Sequence, residues 1–64
     1  MNLYLCEKWD VRKHIACIVC ARDEEEALVL AAPTASVLER LQWSADLIGI
    51  AESRVPEGVV LRVG

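Results

Sequence analysis

The feature that most constrains this chain is the stretch Ile15 to Ala32, I-A-C-I-V-C-A-R-D-E-E-E-A-L-V-L-A-A, an apolar run that gives way at Asp23 to three glutamates. β-branched Ile and Val favour an extended backbone. Asp23 is a strong N-cap residue, and Glu26, three positions later, completes a capping box. Glu24 and Glu25 fall where the helix dipole favours negative charge. The stretch therefore specifies a strand feeding directly into a helix. That helix is expected to run to about Ala31, because the residue before Pro33 is pushed out of helical conformation. Ala27, Leu28 and Ala31 are its sheet-facing residues.

A chain of 64 residues has room for one domain, 1–64, burying roughly 60% of the surface its unfolded form exposes. That leaves little space for an elaborate catalytic cleft, and no enzymatic activity is expected. The composition is 55% hydrophobic but only 5% aromatic, with no Phe, so the core must be aliphatic and thin. No apolar stretch reaches the ~18 residues of a membrane span, and M-N-L-Y-L-C-E-K lacks the basic start and long apolar middle of a secretion signal. Three cysteines, an odd number, fit a reducing compartment better than a disulfide framework. A cytoplasmic location is the expectation. The net charge of −3, with a pI near 4.9, argues against direct nucleic-acid binding, which needs clustered Lys and Arg, and points to a basic partner.

Met1 to Cys6 alternates Leu3 and Leu5 against Asn2, Tyr4 and Cys6, the period of a half-buried strand. Glu7 to Lys13 reads as a connection. A hairpin centred near Asp10 places Leu5 opposite Ile15, Leu3 opposite Cys17 and Met1 opposite Val19. The other face then holds Cys6 with His14, Tyr4 with Ala16 and Asn2 with Ile18. Thr34 to Gln42 carries a second, short helical pattern, with Ser36 and Glu39 as its capping signal and Val37, Leu38 and Leu41 on one side; an irregular connection is the alternative. Leu47 to Ala51 and Val59 to Val63 are two short apolar runs either side of E-S-R-V-P-E-G, read as a second hairpin. Leu47, Gly49 and Ala51 would then share a face with Val59, Leu61 and Val63. The fold class is α+β: a small, mainly antiparallel sheet, β-β-α-(α)-β-β, with helix packed on one face and the other left open.

Cys17-Ile18-Val19-Cys20, with Cys6 and His14 upstream, offers four residues of zinc-ligating type. Zinc knuckles need a turn between their cysteines, whereas Ile-Val favours extension, and residues three apart in a strand point to opposite faces ~10 Å apart. The cysteines are read as strand packing, with no metal and no cofactor. A thiol nucleophile from Cys6 and His14 lacks an orienting group and an oxyanion donor. The run Asp23, Glu24, Glu25, Glu26 is fully explained as a helix start and is equally suited to meet a partner's Lys or Arg cluster. Glu7, Asp10 and Glu52 are candidates to extend that acidic surface. Trp9, in a charged segment, is a candidate partner contact; Trp43 is expected in the core. Tyr4 and Ile18 form a second candidate patch on the open face.

An opening M-N-L-Y-L strand, a strand running into R-D-E-E-E-A, and an ending like L-I-G-I-A…V-P-E-G-V-V-L resemble short proteins encoded by phages and bacterial mobile elements, among them anti-CRISPR proteins. The resemblance covers most of the chain and contains no chemically specific motif. It implies a non-enzymatic inhibitor in the host cytoplasm that binds a Cas effector subunit, its carboxylates standing in for nucleic-acid phosphates, and so blocks DNA recognition or recruitment. The net charge is smaller than wholesale DNA mimicry uses, which favours a local acidic face. The rival reading is a phage accessory or structural module, monomer or weak homodimer, that self-associates through the open sheet face. A small metal-binding module is the third.

Overall fold

The computed structural model describes residues 1–9 and 13–63. Strands β1 (Asn2–Trp9) and β2 (His14–Ala21) are followed by helix α1 (Glu24–Ala31), a single helical turn α2 (Val37–Arg40), and strands β3 (Trp43–Ile50) and β4 (Gly58–Val63). The fold is α+β, a four-stranded antiparallel sheet in the order β3-β1-β2-β4 with α1 against one face. β2 and β3 are both antiparallel to β1, which lies between them. They therefore run parallel to each other, and such strands need a crossover connection. α1 is that crossover.

α1 begins and ends where the sequence places it. Asp23 caps it in extended conformation, its Oδ1 accepting the Glu26 amide at 2.8 Å. Glu26 closes the box by accepting the Arg22 amide at 3.4 Å. At the other end Arg62 donates to the Ala31 carbonyl at 3.0 Å and Arg40 to that of Ala32 at 3.4 Å, placing two cations where the helix dipole is negative. Ala27 and Ala31 are buried, and Leu28 packs against the core they join.

The hairpin register differs from the sequence expectation. The observed pairs are Tyr4↔Val19, Leu5↔Ile18, Cys6↔Cys17 and Trp9↔His14, a shift of three residues from a hairpin centred on Asp10. An odd shift moves one strand's side chains to the other face. Tyr4 and Cys6, not Leu3 and Leu5, therefore join Cys17, Val19 and Ala21 under α1. The physical reason is that Glu7 to Trp9 is strand rather than connection, because Trp9 stacks on His14 across the pair. Asp10 lies outside the described residues.

The second hairpin does not form. β3 pairs with β1 and β4 with β2, so the two occupy opposite edges of the sheet. The segment 51–57 crosses beneath β1 and β2, fixed by the Ala51 amide on the Met1 carbonyl at 2.9 Å and by a turn from Val55 to Glu52 at 3.0 Å. It re-enters the sheet at Gly58, whose φ of 134° lies in the region that favours glycine. Each edge strand carries an irregularity: Ile48 is the unpaired residue of β3 and Val60 that of β4. The expected sharing of a face by Leu47 and Gly49 with Val59 and Leu61 thus falls with the hairpin.

α2 keeps its Ser36 cap, whose Oγ accepts the Glu39 amide at 3.2 Å. Its apolar residues do not reach the core, however: Val37, Leu38 and Leu41 are exposed. One helical turn cannot project them past the longer α1, and Arg40 folds back over the α1 terminus. Trp43 is half-buried against the core cluster. No described helix is long and apolar enough to cross a membrane.

Candidate functional site

The site assembles at the end of the sheet where β2 delivers the chain to α1. Ala21 pairs with Asn2, so Arg22 and Asp23 emerge beside the start of β1, the place where segment 51–57 also crosses. Asp23, Glu24, Glu25, Glu26, Glu52 and Glu57 therefore gather at one end with Arg22 and Arg54. Six carboxylates there face two guanidiniums and the Met1 amino group, an excess of acidic groups at that end.

These acidic groups do different work. Asp23 and Glu26 are committed to the helix cap. Arg22 stands 4.0 Å from Glu26 and 3.8 Å from Glu57, gathering both. The nearby Glu26 carboxyl raises the pKa of Glu57, with desolvation adding and Arg22 opposing. Glu24 and Glu25 are exposed and, among the described residues, engage no hydrogen bond or ion pair. They are the carboxylates free to meet a partner.

Glu25 also borders an open groove of about 740 Å³ between α1 and α2, with Leu28, Val29, Val37 and Leu41 along it and Arg40 at its side. The exposed apolar residues of α2 thus stand next to the acidic helix start. This supplies a mixed contact surface, an aliphatic floor with a negative rim.

The other residues singled out from sequence lie elsewhere. Trp9 and Glu7 sit toward the far end of β1, seven and five strand steps from Asn2, or roughly 23 Å and 17 Å. There Trp9, 70% exposed, stacks on His14 with ring centroids 3.8 Å apart and planes 5° from parallel. Glu7 Oε2 is 2.7 Å from His14 Nε2. The structure therefore splits the expected surface in two: Asp23 to Glu26 form one group, Glu7 and Trp9 another. Glu7 lies on a strand, not a loop. Tyr4, expected on the open face, is buried under α1, while Ile18 is on the open face as expected.

The cysteines are separated by the same register. Cys6 and Cys17 face each other beneath α1. Burial pushes the Cys6 thiol up to about 11, the neighbouring Cys17 adding to it, and burial likewise raises Cys17, with Arg62 opposing. Cys20 lies on the opposite face, its Sγ 4.0 Å from Met1 Sδ and 3.9 Å from the Val55 carbonyl. His14 is not the neighbour of Cys6, because the two side chains project from opposite faces. Among the described residues no group of three or more metal-ligating side chains comes together.

Sequence reasoning missed Glu57 and Arg22 as members of the acidic end. They are 35 residues apart, and only the edge-to-edge course of 51–57 unites them. The one available signal was the charge of E-S-R-V-P-E-G itself. No protein-family model, no curated protein and no solved structure matches the chain.

Proposed function

We propose that this chain is a non-enzymatic inhibitor of the anti-CRISPR kind, acting in the cytoplasm of a bacterial host. Its acidic end occupies a basic DNA-binding surface on a Cas effector subunit and blocks DNA recognition or recruitment. The observation that carries this reading is the excess of carboxylates at one end, with Glu24 and Glu25 exposed and, among the described residues, unengaged on the helix start. Carboxylates held in this way can take the Arg and Lys sites prepared for phosphate without first ordering a loop. The apolar α1–α2 groove beside them supplies contact area that charge alone does not.

The test is co-purification with candidate effector complexes followed by a DNA-binding assay. Glu24→Lys with Glu25→Lys is the informative variant, since neither residue serves the cap; far-UV circular dichroism checks its fold, because the reversal opposes the helix dipole. Loss of inhibition in that double variant supports the reading. If no effector complex is captured, or if the double variant still inhibits, the reading fails.

A further inference from the structure

We infer that the groove between α1 and α2 seats a basic amphipathic segment of a partner protein, its aliphatic side chains set into the groove and a Lys or Arg one helical turn along from them against Glu25. This rests on the reading of the acidic end as the surface that meets a partner, and it adds what the partner must present there. The groove has two aliphatic walls. Leu28 and Val29 on α1 form one. Val37 and Leu41, four residues apart and so on one side of the α2 turn, form the other. Val29, Val37 and Leu41 are 46%, 74% and 76% exposed, so their apolar surface is open to a partner rather than spent on the core. Glu25 precedes Val29 by four residues and stands one turn, about 5.4 Å, along the same side of α1. It is exposed. Asp23 and Glu26, although they build the cap, add their charge to the same rim.

Charge selects the occupant. An exposed aliphatic groove alone accepts many apolar surfaces. Three carboxylates along one end of this groove repel anionic lipid and nucleic acid and favour Lys or Arg. Arg40, the one cation among its described lining residues, lies at the other end. There it donates to the Ala32 carbonyl at 3.4 Å, roughly 10 Å along the helix from Glu25, and leaves the acidic rim uncompensated. A second copy of this chain would bring to that rim only its own Arg40, already engaged at the end of α1. The volume, about 740 Å³, falls within the range of about 300–1,000 Å³ usual for ligand sites. A helix laid in such a groove presents anchors at helical spacing. An aliphatic anchor with a Lys or Arg three or four residues from it reproduces the spacing of Val29 and Glu25 from the partner's side.

Fluorescence anisotropy with the intact chain tests this, the probe being a fluorescein-labelled synthetic peptide of about 15 residues with Leu on one helical face and Lys on the other. A Kd on the order of 10 μM is expected, weakening as salt is raised. Replacing the peptide's Leu by Ser, or its Lys by Glu, should each weaken binding about tenfold or more. Val37→Ser with Leu41→Ser in the protein should do the same, whereas Ile18→Ser, on the open sheet face, leaves binding unchanged. Far-UV circular dichroism checks the fold of each variant, and Leu41→Ser alone replaces the double variant if that does not fold. No binding, equal binding of the Leu-free or the Glu-bearing peptide, indifference to the α2 changes, or loss on Ile18→Ser would each overturn the inference. So would a chain that dimerises through the groove and excludes the peptide. The peptide assay contains no effector, so a failure to capture one and a failure of the peptide to bind are read separately.

Discussion

Tyr4 and Leu5 are adjacent in sequence and on opposite faces of the sheet, so truncating each in turn measures which face is the core. Tyr4 is 5% exposed beneath α1, and its hydroxyl accepts from Asn2 Nδ2 at 3.1 Å. Removing a buried aromatic ring in this way costs about 3–5 kcal/mol. Leu5 is half-buried on the open face, and Leu5→Ala in the monomer should cost about 1 kcal/mol, because its side chain is only partly withdrawn from water. A chain of this length has roughly 3–10 kcal/mol of stability in total. Tyr4→Ala therefore consumes a large share of it, while Leu5→Ala shifts the midpoint modestly. Urea unfolding, followed by tryptophan fluorescence, reads both. A Leu5→Ala variant as destabilised as Tyr4→Ala, or more so, would refute the register and with it the assignment of the open face.

Gly58 enters β4 at positive φ with open space where a Cβ would project, so Gly58→Ala meets strain in the backbone rather than a clash; thermal unfolding should show a loss of about 1–2 kcal/mol. Cys6 binds its proton more tightly folded than unfolded, its pKa raised from 9.0 to about 11. The associated stability is fully present below pH 9 and is lost as pH rises through about 11. Denaturation midpoints should therefore fall across that window, and Cys6→Ala should flatten the decline; a midpoint that rises with pH there would contradict the burial of the thiol.

How much of this was legible in the sequence depended on whether the deciding contact was local. α1 was readable from Asp23 to Ala31 because capping box, dipole charge and Pro33 all act within a few residues. The alternation within β1 was equally plain, but its register was not. What fixes the register is a stack between Trp9 and His14 across the β1–β2 pair, and the burial of Tyr4 rather than Leu5 under a helix that comes later in the chain. The second hairpin failed for a related reason. Proximity in sequence favours pairing β3 with β4, but the α1 crossover carries the chain past β1 and leaves each strand a different free edge. The acidic end was half legible: Asp23 to Glu26 are contiguous, whereas Glu57 arrives through the crossing of 51–57. The sequence could not distinguish the carboxylates that build the cap, Asp23 and Glu26, from those left free, Glu24 and Glu25.

The extra residues at Ile48 and Val60 have a consequence for what the margins of the sheet offer to other chains. An uninterrupted edge strand invites strand after strand to add in line, and nothing in such growth limits its extent. Here both margins of the sheet are interrupted, one by each bulge, and lateral extension meets a broken ladder whichever side it approaches. A thin, aliphatic 64-residue chain, rich in exposed valine, leucine and isoleucine, is thereby steered away from edge-to-edge growth into fibres.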